Sequence, residues 1–131
     1  MKLELENESP ILNPTEEDIE KEIQKVDGKE NGFAILSLDE MTYLQIAGDT
    51  SSGFVMEYQN GSLDEHYSTE ENVSEKEVIE AFQAFTRGET TWIDQFNWKK
   101  EELNKGSGCM SVIVITTVFA LSIGLFTLLK G

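Results

Sequence analysis

The sequence predicts an α+β fold: an antiparallel β-meander with two helices packed on one face, followed by a C-terminal transmembrane helix. Three observations carry this. Two segments with capping-box residues and apolar side chains at helical spacing flank a centre of short strand-like runs. That centre is punctuated by turn signals, the strongest being Asn60-Gly61. Finally, the 21 residues from Cys109 to Leu129 contain no charged side chain. The resulting order, β-α-β-β-β-β-α with hairpin connections, is that of helices covering one face of an antiparallel sheet.

Taken in order, Lys2 to Glu6 alternates Leu3 and Leu5 with charges and is expected to be an edge strand. Ser9-Pro10 and Asn13-Pro14 break the chain. Asn13 is the expected N-cap of the first helix, with Pro14 at its first position and Glu16 completing a capping box. Ile19, Ile23 and Val26 follow at helical spacing, and Gly28 is the expected stop. Phe33 to Leu38 is a continuous apolar run, the pattern of a strand buried on both faces. Thr42 to Ala47 is the next strand, and Gly48 to Gly53 a loop.

From Phe54 to Gln59 the chain alternates, placing Phe54, Met56 and Tyr58 on one face. Asn60-Gly61 suits a type I′ turn, so Ser62 to Tyr67 is the predicted partner strand. Ser74 and Glu77 form a second capping box. Val78, Ile79, Phe82 and Phe85 supply an apolar stripe that ends at Arg87-Gly88. Thr91 to Trp98 packs Trp92, Ile93, Phe96 and Trp98 into eight residues and reads as a helical turn plus a strand. The expected division is a soluble domain over 1–98, a polar linker over 99–108 and a membrane segment over 109–129.

At about 1.5 Å per residue the Cys109–Leu129 run spans roughly 30 Å, the hydrocarbon thickness of a bilayer. Lys99, Lys100 and Lys105 precede it and Lys130 follows, so the positive-inside rule keeps the N-terminal domain cytoplasmic. The N-terminus carries no apolar signal-peptide core. The expected location is therefore the membrane, with a single pass. Thr116, Ala120 and Gly124 recur every four residues as a small-residue stripe that allows close helix approach and offers a route to a homodimer, although ordinary membrane-helix composition is the better reading. Cys109 lies where S-palmitoylation occurs, although a chance cysteine is the better reading.

Residues 1–108 hold nine Lys and Arg against 25 Asp and Glu, a net charge of −16. This surface disfavours nucleic acid and anionic headgroups and favours a basic protein partner. Solubility alone explains an acidic surface equally well. With one cysteine there is no intrachain disulfide. The one histidine, His66, leaves too few ligands for a transition-metal site, and no phosphate loop or nucleophile elbow is present. No catalytic residue, metal or cofactor is expected. If Ser62 to Tyr67 is a strand, His66 points away from Leu63 and Tyr67, towards solvent or sheet neighbours. Trp92, Phe96 and Trp98 either form a lid over the core, the favoured reading, or present a Trp as a binding anchor. The candidate partner-binding residues are Tyr58, His66, Tyr67, Trp92 and Trp98.

The stretches TYLQIAGDTSSGFVMEYQNG, EHY, SEKEVIEAFQAFTRGETTW and FNW resemble predicted immunity proteins of bacterial polymorphic toxin systems, over roughly Asn13 to Lys99. The resemblance implies a small acidic α+β protein that neutralises a cognate toxin by binding it. It transfers no toxin-binding residue. The membrane segment departs from the soluble pattern and would place the domain where an incoming toxin crosses the inner membrane. The expected function is thus a membrane-anchored protein-binding module of the immunity type. The other reading is a tail-anchored adaptor or small regulatory subunit of a membrane-associated complex.

Overall fold

The computed structural model describes residues 1–101. The linker beyond Glu101, the Cys109–Leu129 segment, its Thr116-Ala120-Gly124 stripe and Cys109 lie outside the described residues. The fold is α+β, with two helices and a seven-stranded antiparallel sheet. The strands are β1 (Lys2–Leu5), β2 (Ile11–Leu12), β3 (Phe33–Asp39), β4 (Thr42–Asp49), β5 (Gly53–Asn60), β6 (His66–Thr69) and β7 (Trp98–Lys100). Their spatial order is β2-β1-β3-β4-β5-β6-β7, a meander from β3 to β6 with short additions at both edges.

Helix α1 (Glu16–Ile23) begins two residues later than a cap at Asn13 would place it. Thr15 is the cap: its hydroxyl accepts from Asp18 N–H, and the Asp18 carboxylate accepts from Thr15 N–H. Asn13 is committed elsewhere. Its N–H donates to the Met1 carbonyl, its side-chain oxygen accepts from the Met1 ammonium, and its backbone is left-handed at φ 51°. The helix ends at Ile23, and Gly28 serves the following loop, where φ is 73°.

Helix α2 (Glu75–Thr86) follows its local signals closely. Ser74 and Glu77 form the reciprocal box, at 3.0 and 3.2 Å. At the far end Gly88 takes φ 76°, its N–H bonds the Phe85 carbonyl, and Glu89 N–H bonds that of Ala84. That pair of bonds is a Schellman stop, which requires the left-handed residue.

Both helices lie on one side of the sheet. Leu3, Leu5, Ala34, Leu36, Leu44, Ile46, Phe54 and Met56 project to that side and bury against Ile19, Ile23, Val78, Phe82 and Phe85. Helix α2 also meets α1, where Arg87 pairs with Glu16 at 2.7 Å. The period of two explains β3: Ala34 and Leu36 are fully buried, whereas Phe33 and Ile35 are half-buried on the other face. The run is therefore not buried on both faces. The Lys2–Glu6 strand is not at the edge either, because β2 pairs Leu12 with Lys2 outside it.

The Asn60-Gly61 hairpin forms, but its turn is longer than two residues. Gly61 takes φ 87°, the loop runs to Glu65, and Asn60 N–H bonds the Glu65 carbonyl. Gln59 consequently faces His66 and not Ser62, a slip of four positions. An even slip preserves which face each side chain occupies. At the other end of the hairpins, β4 and β5 extend through Asp49 and from Gly53, so the loop between them is only three residues. Lys99 and Lys100, expected in the linker, belong to β7 and pair with Ser68 and Tyr67.

Several carboxylates are held below the usual carboxylate range by donors aimed at them. Asp18 faces Thr15 N–H, Asp27 faces Lys29 N–H, Asp49 faces Ser52 N–H, Glu65 faces the Tyr67 hydroxyl, and Glu89 faces Arg87. A depressed folded-state pKa contributes stability above the unfolded value and loses it as pH falls through the folded value. In about 0.5 M salt, which mutes acid–acid repulsion, the melting temperature should fall once pH drops below about 4. A melting temperature that rises there would contradict these assignments.

Candidate functional site

Among the described residues, no helix covers the second face of the sheet. Strand alternation and register place three rows across it. The first row is Phe33, Ala47 and Val55; the second is Glu4, Ile35, Gln45, Glu57, Ser68 and Lys99. The third is Lys2, Ser37, Tyr43, Gln59 and His66. Val55 is 41 % exposed, and Phe33, Ile35 and Ala47 are half-buried. An apolar strip therefore adjoins a polar row on one surface.

The polar rows meet in a hydrogen-bonded chain that ties β4, β5 and β6. Gln59 Nε2 donates to the Met41 carbonyl at 3.3 Å, which turns Gln59 Oε1 the other way. That oxygen accepts from the Tyr43 hydroxyl at 3.3 Å and from His66 Nδ1 at 2.9 Å. His66 Nε2 lies 2.8 Å from Glu57 Oε1. The Tyr43 ring meets the His66 ring edge-on, with centroids 6.1 Å apart. Burial, with the Glu57 charge nearby, pushes the Tyr43 hydroxyl pKa well up, so it stays a neutral donor.

Both His66 nitrogens are engaged, and the residue is only 3 % exposed. Ser68, two residues along the same strand, donates to Glu101 Oε2 at 2.5 Å. The serine hydroxyl is thus aimed at a carboxylate, and the histidine does not activate it. What the chain achieves is positional: it locks Glu57 and Gln59 in place on the uncovered face. Among the described residues no group of three His, Cys, Asp or Glu is placed to hold a metal ion.

The other candidates lie on the opposite, helix-bearing side. Tyr58 and Tyr67 are cross-strand partners. Tyr58 meets Trp92 edge-on at 5.0 Å and Trp98 at 6.2 Å, and Phe85 and Phe96 extend the cluster. The short 3-10 turn Thr91–Gln95 delivers Trp92 into the core at 3 % exposure. Its indole N–H donates to the Glu89 carbonyl at 2.8 Å, and that of Trp98 donates to Ile93 at 2.7 Å. Both indole donors are thereby consumed within the chain. Tyr58, Tyr67 and Trp98 remain half-buried at this corner. The five sequence candidates are therefore not one patch: four cluster on the helix side and His66 stands across the sheet.

Sequence reasoning did not single out Tyr43, Gln59 and Glu57 as members of a His66 network. The usable signal is the alternation of β5, which puts Val55, Glu57 and Gln59 together opposite Phe54, Met56 and Tyr58.

No protein-family model matches this chain, and comparisons with curated proteins and with solved structures find no match.

Proposed function

We propose that this chain is a membrane-anchored protein-binding module of the immunity type, which takes a basic polypeptide on the uncovered face of its sheet. The observation that supports this most is the strip Phe33, Ala47 and Val55, with Ile35 beside it, next to the fixed carboxylate of Glu57. Such a surface sets an apolar strip beside an ordered carboxylate, with Glu4, Lys2 and Lys99 on the same face, the mixed apolar and polar make-up of a protein interface. The net charge of −16 on residues 1–108 steers a cationic partner towards it, and burial of the strip holds it. The uncharged Cys109–Leu129 segment supplies the anchor and raises the local concentration of binder at one surface.

The test uses the full chain in the membranes of cells that produce it. A photo-crosslinking side chain is placed at Val55 or, as a control, at Glu20 on the exposed side of α1. The expected result is a light-dependent adduct with one basic polypeptide from Val55 and none from Glu20. No adduct, or equal adducts from both, would remove the reading. Production of the captured polypeptide alone should arrest growth. If it does not, the adaptor reading takes its place.

A further inference from the structure

We propose that the end of the sheet at which the described chain leaves β7 rests against the membrane, with Leu12, Leu38, Met41 and Leu63 inserted into the lipid interface. The inference rests on the anchoring reading above and specifies which surface of the domain meets the bilayer. Register fixes the geometry. Lys2 pairs with both Leu12 and Ser37, Thr42 pairs with Asp39 and Asn60, and Gln59 pairs with His66. All these residues therefore lie at one end of the strands. Glu101 joins them, since its N–H donates to the His66 carbonyl.

Five large apolar side chains are exposed among the described residues: Leu12 at 72 %, Leu38 at 56 %, Leu63 at 48 %, Val55 at 41 % and Met41 at 37 %. All but Val55 occur at this end. The β3–β4 and β5–β6 connections that carry Met41 and Leu63 are joined, Gly61 N–H donating to the Met41 carbonyl at 2.9 Å. From Leu12 on β2 to Leu63 in the β5–β6 connection the rim crosses between four and five strand spacings, roughly 21 Å. The opposite end is built differently. Its connections carry none of these side chains and are tied by polar contacts, such as Asn7 N–H to Asn31 and Gly32 N–H to Glu6.

The chain's own length brings this rim close to lipid. Seven residues, 102–108, separate Glu101 from the start of the uncharged run at Cys109. Fully extended, the eight steps from Glu101 to Cys109 reach at most about 29 Å. The exit point and the apolar rim therefore share the one end of the sheet that cannot move far from the bilayer. The same connections carry Asp39, Glu40, Asp64 and Glu65, so insertion depends on the apolar side chains and suits a zwitterionic surface. Docking of this end would leave the uncovered sheet face standing roughly upright and open to a partner.

The experiment reconstitutes full-length protein carrying Cys109→Ser and one new cysteine, at Leu63, Met41 or the opposite-end residue Ser51, labelled with an environment-sensitive fluorophore. The vesicles are phosphatidylcholine with a fraction of lipid bearing a quencher near the headgroup. Labels at Leu63 and Met41 should be quenched at least about threefold more than the label at Ser51, as expected for side chains within ~10 Å of the headgroup boundary. Protein that floats with the vesicles yet shows equal quenching at all three sites overturns the rim proposal alone. Protein that fails to float overturns the anchoring reading itself.

Discussion

Phe82→Ala should destabilise the domain by about 3–5 kcal/mol, the range for removing a fully buried aromatic ring from a core. Phe82 is 0 % exposed and lies midway along α2, facing the helix-bearing side of the sheet. Alanine is the better helix former, so propensity does not supply the loss. The loss comes from dispersion contacts and from the cavity left between α2 and a sheet that cannot collapse onto it. A domain of this size has only about 5–15 kcal/mol of stability in total. The melting temperature should therefore drop by roughly 15–30 °C. Phe82→Leu, which keeps much of the volume, should recover most of it. Equal melting temperatures for the alanine variant and the parent would show that the ring is not part of the core.

How far the sequence could be read depended on whether the deciding contacts were local. The Ser74–Glu77 box and the Gly88 stop are complete within a few residues, and both stand as expected. The start of α1 depended on Met1, twelve residues before Asn13 in the chain, whose ammonium and carbonyl take Asn13 out of the capping role. No local pattern shows that. The β2 pair Ile11–Leu12 is too short to have a period and exists because β1 offers it an edge. Lys99 and Lys100 look like linker residues because they are charged, yet the backbone of β6 pairs them into the sheet.

The candidate site shows the same division. The face that His66 occupies was legible from alternation, and the four-residue slip left it unchanged. Its partners were not legible, because Gln59 and Glu57 are ordinary solvent-side residues until the longer turn brings His66 level with Gln59. The aromatic residues near the C-terminus were visible as a group. What the sequence could not convey is that Glu89 and Ile93 carbonyls accept both indole N–H groups, which ties the group inward.

Val55→Arg should weaken binding of the partner by about 30-fold or more, the scale of losing a contact at an interface centre worth ~2 kcal/mol. Val55 is 41 % exposed on a helix-free face, so the folded state tolerates a polar side chain there. Melting temperatures of variant and parent should agree within a few degrees, as for most surface substitutions of about 0.5 kcal/mol or less. The sign of the introduced charge carries further information. If the partner is basic, arginine adds repulsion to the lost apolar contact, whereas Val55→Asp loses the contact but adds attraction. The order of affinity should therefore be parent, then Val55→Asp, then Val55→Arg. The most direct measurement is the dissociation constant of full-length protein and the two Val55 variants for the polypeptide captured at Val55, at low and at physiological salt. A partner on the uncovered face gives that order, with the gap between the two variants narrowing as salt rises. Equal affinities for all three proteins would place the binding surface elsewhere on the molecule.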